Sequence, residues 1–353
     1  MNLTANQLFK AIGESAGLES IQGKISLILK AIASFQNCKK GDLVFVPDAK
    51  MLKQVVEHGV SAIVIPKKLQ QQAAAFNDQI AIIVSSNLKL SHAKIKLQYA
   101  DHDYTQSGWD KIHSSASIHE SVKIPKDITI GPNVVIEKGV KFGKGVHLMA
   151  NVIIEHNATI GNNVRIHPSA VIGWNCQIGN DCIIMSNTVI GGEGFGFAQD
   201  EQFNHHRIPQ TGNVILGDRV SVGANSTIDR GTYGATTIGN GCIFDNLCHI
   251  AHNVTFGENC IAVSGFLCAG SSVIGNRVVA SGGTMIKDHM EICDDVYLMH
   301  RAGVVENITK PGMYAGGPAL PMEEYTKNKA IYNRLSELRQ QVKMLEKMME
   351  EKS

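Results

Sequence analysis

Residues 154–173 read IEHNATIGNNVRIHPSAVIG. An aliphatic side chain returns at every sixth position, Ile154, Ile160, Ile166 and Ile172, and a small or slim one stands two places before each: Val152, Ala158, Val164 and Ala170. Glycine follows at 161 and 173. A helix repeats every 3.6 residues and a strand every two, so neither explains a strict six. The phase runs back to Ile118 and on to Ile190, restarts at Leu216, slips by four residues after Ile228, and continues from Ile238 to Leu298. A hexapeptide period of this kind reads as a parallel β-helix, each hexad a short strand and a corner. With three hexads to a coil, the run predicts nine coils and a rod of roughly 40 Å. The glycines are expected to relax the backbone at corners where a Cβ would crowd.

Two interruptions argue against a plain structural rod. One is the excursion GGEGFGFAQDEQFNHHRIPQTG, residues 191–212, and the other is the slip at Gly231–Ala235. Inserts on a rigid scaffold are where function concentrates, and the Gly- and Phe-rich content reads as a flap lining a ligand. No GK[ST] follows it, so it is not a phosphate-binding Walker loop.

The 353 residues carry a net charge of +1, which implies no general affinity for nucleic acid. The N-terminus has no apolar signal region and no long apolar run spans a membrane, so a cytoplasmic protein is expected. Of the eight cysteines, Cys176, Cys182, Cys242, Cys248 and Cys260 occupy the small inward slot and Cys268 the aliphatic one. That makes them small core residues, not disulfide or zinc ligands.

Residues 1–105 lack the six-period. A short helix after Thr4, strands at Leu43–Val46, Ala62–Ile65 and Ile80–Val84, and a helix over Met51–His58 ended by Gly59 predict a small α/β domain. Residues 101–110 read as linker. The β-helix domain is expected over 106–308, with the inserted loop at 192–212. From Thr309 the repeat fails, Pro311, Pro318 and Pro321 punctuate the exit, and 309–353 form a helical extension. There Ile331, Leu335, Leu338, Val342, Leu345 and Met349 make a heptad seam that predicts packing on copies of itself. Its basic residues, Arg334 and Arg339 among them, outnumber its acidic ones, a landing site for an acidic partner.

The polar residues most out of place lie in FDNLCHIAHNVTFG, residues 244–257. His252 falls at a corner. Asp245 precedes it by one hexad plus one residue. A carboxylate that orients an imidazole base is a common acid–base arrangement. His289 follows His252 by two coils plus one residue, about 10 Å along the axis, which leaves room for a substrate.

TIDRG (227–231), IGNG (238–241), DNLCHIAHNV (245–254) and HMEI (289–292), with GFGFA and IPQ in the excursion, resemble the UDP-3-O-acylglucosamine N-acyltransferases of lipid A synthesis. The resemblance covers most of the chain: a uridine-binding domain, a left-handed β-helix and a C-terminal helical piece. It implies transfer of a 3-hydroxyacyl group from acyl carrier protein to the 2-amino group of UDP-3-O-(3-hydroxyacyl)glucosamine by a homotrimer. No metal or cofactor is implied, since a thioester is already activated. His252 matches the general base, Asp245 the carboxylate that orients it, and Gly270 the glycine whose N–H faces the oxyanion. His289 matches a second histidine near the substrate. Phe45, Asp48 and Met51 match the uracil pocket, whose usual Asn and Tyr are Asp48 and Met51 here. Gly303 stands where a bulkier Met is frequent, which predicts an extended acyl groove and a preference for chains longer than about fourteen carbons.

Three other readings compete. A hydroxyl-acceptor acyltransferase would not need the N-terminal domain or the HMEI histidine. A zinc carbonic anhydrase on this scaffold needs three converging histidines, whereas His249 and His252 should diverge from face and corner. A scaffolding rod would leave Asp245, His252 and His289 idle.

Overall fold

A computed structural model describes residues 1–104, 108–109, 111–316 and 322–350, with the side chains of 322–325 left aside. Part of the linker at 101–110, together with Pro318 and Pro321, lies outside those residues. The chain divides into two compact units, Met1–Tyr104 and Thr105–Ser353.

In the first unit a five-stranded sheet runs in the order Leu18–Gly23, Ala81–Ser85, Ala62–Pro66, Asp42–Phe45, Ala31–Ala33. Only Leu18–Gly23 pairs antiparallel. The helix Ala5–Ile12 starts on a capping box: Gln7 N donates to the Thr4 hydroxyl at 3.1 Å and Thr4 N to the Gln7 amide oxygen at 2.8 Å. Several elements, among them the following, had no clear sequence signal. Leu18–Gly23 is mostly half-exposed, Ala31–Ala33 is a short edge strand, and Leu88–Tyr99 buries only Ser91 and Ile95.

The second unit is a left-handed parallel β-helix. Strands eighteen residues apart stack in register, so Val135 sits on Ile153, Ile153 on Val171 and Val171 on Val189. Three hexads therefore close one coil. Among the described residues the three faces hold ten, eight and ten strands. One inward residue per hexad fills the axis: Ile130, Ile154, Ile172, Ile228 and Ile250 are at most 1% exposed. The slim partners Val164, Ala170, Cys176 and Cys182 are fully buried beside them. Burial pushes the Cys182 and Cys248 thiols up to about 11, as expected of core groups with little access to water.

The corner geometry divides the two tasks that the sequence reading gives to glycine. The left-handed corner residue is most often Asn, as at Asn133, Asn151, Asn157 and Asn163 (φ between 55° and 61°). The glycine after the inward residue answers to the expected crowding: a Cβ on Gly161 would stand 2.6 Å from the carbonyl oxygen of Gly179 in the next coil. Glycine is there because coils approach each other closely.

The stack also runs past the last predicted hexad. Gly303–Val304 extends one face and Gly312–Tyr314 another, beyond Thr309 where the period is lost. Helices Met322–Asn333 and Leu335–Glu350 follow, the second with no buried residue and with Leu335, Leu338, Val342, Leu345 and Met349 exposed.

Candidate active site

Strand His249–Ile250 turns Ile250 into the axis and His249 outward, and the chain then corners through Ala251, His252 and Asn253. Asn253 adopts φ 59°. Its N–H donates to the Thr236 hydroxyl (2.8 Å), its amide to Tyr233 O (2.7 Å), and its side-chain oxygen accepts from Thr232 N (2.9 Å). The same oxygen lies 3.3 Å from His252 Nδ1. The four-residue slip thus supplies the frame that holds the residue beside the imidazole.

Glycines flank that imidazole on both sides. A Cβ on Gly270, one coil on, would come within 2.7–2.8 Å of Cε1 and Nε2 of His252. A Cβ on Gly194 would stand 2.9 Å from His252 Cβ. Any side chain at either position would displace the ring. Gly270 is buried, its carbonyl accepts from His289 N at 3.0 Å, and among the described residues its own N–H has no acceptor. An unpaired buried N–H beside an imidazole is a donor available to a substrate oxygen.

Beside the ring opens a groove of about 460 Å³ lined by His249, Ala251, Leu267, Met285, Phe195 and Asp288, among others. Outward residues of one face form its floor in register, His249 on Leu267, Leu267 on Met285, and Met285 on Gly303. Past His249 that row is apolar, and it ends at a residue with no side chain.

The excursion carries a hairpin, Phe197–Gln199 paired with His205–Arg207. Its base is tied by Arg230, which is 2% exposed. Arg230 donates from Nε to Gly191 O (2.8 Å) and from Nη1 to Gly212 O (3.0 Å), one carbonyl at each end of the excursion. Its guanidinium lies 3.7 Å over the Trp174 ring. Gln210 adds a bond from the Thr232 hydroxyl at 2.7 Å, and Arg207 pairs with Glu193. Gly194 and Phe195 are thereby held against the His252 corner.

The residues expected from sequence fall into place unequally. His252, Gly270 and Gly303 share one edge and one face. Asp245 does not touch His252 within the chain: it occupies the preceding corner and accepts from Asn246 N (2.8 Å) and Ser264 N (3.2 Å). Seven residues move the chain one corner around the prism, so a single chain keeps the two apart. His289 is exposed at a left-handed corner (φ 58°), and it is Asp288, two full coils from His252, that lines the groove. His249 and His252, expected to diverge, line the same groove. In the first unit Phe45 lines a pocket of about 260 Å³ with Phe35, His92 and Lys96, its ring 4.3 Å from that of His92. Asp48 instead caps the helix Ala49–Glu57 by accepting from Lys50 N (2.9 Å), and Met51 packs on the core on the other side of the strand. Arg334 pairs with Glu337 on the exposed final helix, where Arg339 is also exposed.

Asp229 and Arg230 were read only as part of the TIDRG motif. Asp229 is 8% exposed, and burial pushes its carboxyl up to about 7. No sequence signal sets the pair apart, because charged residues stand at the equivalent corner elsewhere, as in Glu137-Lys138, Glu155-His156 and Lys287-Asp288.

Comparison with known proteins agrees with this architecture. The family model described as GMPPB C-terminal domain matches residues 112–195. A UDP-3-O-acylglucosamine N-acyltransferase of Methylococcus capsulatus is 44% identical over 98% of each chain. One of Coxiella burnetii is 33% identical over 99% of this chain and 98% of its own. The crystal structure of an Arabidopsis UDP-N-acetylglucosamine acyltransferase superposes with a TM-score of 0.52 at 24% identity, over 62% of this chain and 76% of that one, a likeness of fold.

Proposed function

The chain belongs to the UDP-3-O-acylglucosamine N-acyltransferase family and is an acyltransferase, and from that premise we propose how its groove performs the transfer. The donor is a 3-hydroxyacyl thioester of acyl carrier protein and the acceptor the 2-amino group of UDP-3-O-acylglucosamine, in lipid A synthesis. The thioester carbonyl sits between His252 and the Gly270 N–H. The amine nitrogen attacks the carbonyl carbon while His252 takes an amine proton. Negative charge collects on the carbonyl oxygen, and the Gly270 N–H donates to it. Collapse re-forms the carbonyl, breaks the carbon–sulfur bond and expels the thiolate, which takes the proton back from His252. The product is an amide and a free carrier thiol.

The observation that carries this reading is the buried Gly270 N–H without an acceptor, packed beside the His252 ring at the head of an apolar groove. Loss of general-base help is worth about 10²–10⁴ in rate. Purified protein should transfer acyl groups from holo acyl carrier protein, and His252→Ala should lose at least about a hundredfold in kcat with unchanged circular dichroism. A variant keeping more than about a third of the rate would remove His252 from this role.

The working unit in this reading is a cytoplasmic homotrimer. The exposed apolar seam of the final helix supports it, as does the separation of Asp245 from His252, which leaves a neighbouring chain to bring a carboxylate to the imidazole. Sedimentation equilibrium returning a monomer at micromolar concentration would count against both. Phe45 is the residue proposed to stack on uracil. Among the described residues no helix is long and apolar enough to cross a membrane.

A further inference from the structure

The transfer step leaves two polar groups of this region unused. Asp229 is 8% exposed, and among the described residues nothing hydrogen-bonds to its carboxyl. The closest cationic or imidazole nitrogen is Nε2 of His249, at 3.9 Å, beyond hydrogen-bond reach. His249 Nδ1 lies 2.7 Å from the Thr227 hydroxyl. A hydroxyl donating there leaves the ring proton on Nε2, the nitrogen on the Asp229 side. Burial lowers the pKa of His249 and favours this neutral ring. An acceptor and a donor therefore face each other across a gap that neither closes. One oxygen can stand about 2.8 Å from each and satisfy both, provided that it also carries a hydrogen. A hydroxyl meets that condition. Once Asp229 is ionised, above about pH 7, a carbonyl oxygen has nothing to give its carboxylate.

We propose that the gap between Asp229 and His249 is a hydroxyl-binding subsite, and that it takes the hydroxyl on the third carbon of the donor's acyl chain. The inference rests on the reaction proposed above. Hydroxyls stand on the donor's acyl chain and, in the acceptor, on its own 3-hydroxyacyl chain, the glucosamine and the ribose, and the order of residues along the groove favours the donor chain. The row starts at His249, beside the His252 corner, and turns apolar at Leu267 and Met285. A 3-hydroxyacyl thioester has the same order: a carbonyl, a hydroxyl two carbons on, then hydrocarbon. Such a subsite rejects a donor without the hydroxyl, because Asp229 and His249 would stay buried and unpaired.

The test compares 3-hydroxyacyl and unsubstituted acyl carrier proteins of equal chain length in the full-length protein. Wild type should prefer the hydroxylated donor by about tenfold or more in kcat/KM. His249→Leu changes an outward residue and leaves the coil axis intact; Asp229→Ala is the second variant, and circular dichroism checks both folds. Each should bring the ratio to within about threefold of unity, chiefly by slowing the hydroxylated donor. A ratio unchanged in both variants overturns the subsite. A rise in KM for the sugar nucleotide with the donor ratio intact assigns the gap to a hydroxyl of the acceptor and overturns the donor assignment. Wild type that accepts no carrier-bound acyl group refutes the reaction itself, and the subsite falls with it.

Discussion

Replacing Gly303 by methionine should shorten the acyl chain that the protein prefers. Gly303 closes the apolar row on the groove face, two coils beyond Leu267 and three beyond His249. At about 4.8 Å per coil, that is roughly 14 Å past His249, at the outer part of a long acyl tail. A Cβ at this position meets nothing within 4 Å and the backbone is not left-handed, so methionine enters without strain. Its side chain would occupy the room of two or three methylenes. At about 0.8 kcal/mol for each buried methylene, the long chain loses roughly 1.6–2.4 kcal/mol, a shift of about 15- to 60-fold in relative kcat/KM. The assay offers long and short 3-hydroxyacyl carrier proteins together and weighs the products by mass spectrometry. Wild type should favour chains longer than about fourteen carbons and Gly303→Met shorter ones. Val273→Met, on the face that carries Glu291, provides a control for methionine outside the groove. The reasoning is refuted if Gly303→Met keeps the wild-type length profile, if Val273→Met shifts it equally, or if wild type already favours about fourteen carbons or fewer.

Arg230→Ala frees both ends of the 192–212 excursion; the hairpin should be cut faster by protease and kcat/KM should drop about tenfold, with little recovery in Arg230→Lys because an ammonium lacks the planar fork. Equal proteolysis of wild type and variant would show that the excursion holds itself. Burial raises Asp229 from 3.8 to about 7, so across that window the folded chain binds a proton that the unfolded chain has released. Wild type should therefore lose stability as pH rises, on the order of 3 kcal/mol between about pH 5 and about pH 8. Asp229→Asn should remove this slope and gain on wild type at the higher pH, read as the urea midpoint; parallel curves would contradict it. Reversing Arg334 and Arg339 together should raise KM for acyl carrier protein and spare KM for the sugar nucleotide, with added salt reproducing the effect. Equal effects on both substrates would make that helix a packing element only.

The β-helix was legible because its constraint is local and repeated: every hexad must put an aliphatic residue on the axis, so the period is written plainly from Ile118 to Leu298. Its last strand, Gly312–Tyr314, was not legible, since only backbone pairing to Val296–Leu298 adds it and that needs no hexad. Within the site, His252 and Gly270 could be placed by counting eighteen residues per coil. The same count also reaches Asp288, which the prominence of His289 concealed. Asp245 shows where counting stops, because a residue of the right chemistry can occupy the wrong corner of its own chain. Gly194 and Arg230 were hidden for another reason: the excursion's path follows from hydrogen bonds to Gly191, Gly212 and Thr232, and no periodicity encodes those.

Each coil of the prism touches only the coils above and below it, so the stack behaves as a one-dimensional chain of neighbours. In such a chain disorder enters from the ends and works inward. The His252 corner has several coils on either side, whereas Gly303 belongs to the last strand of its face. Warming should thus loosen the far end of the groove while the reacting end is still ordered. Fidelity for chain length would then fail at a lower temperature than turnover, a separation of melting from catalysis that a globular core, losing all its contacts together, does not allow.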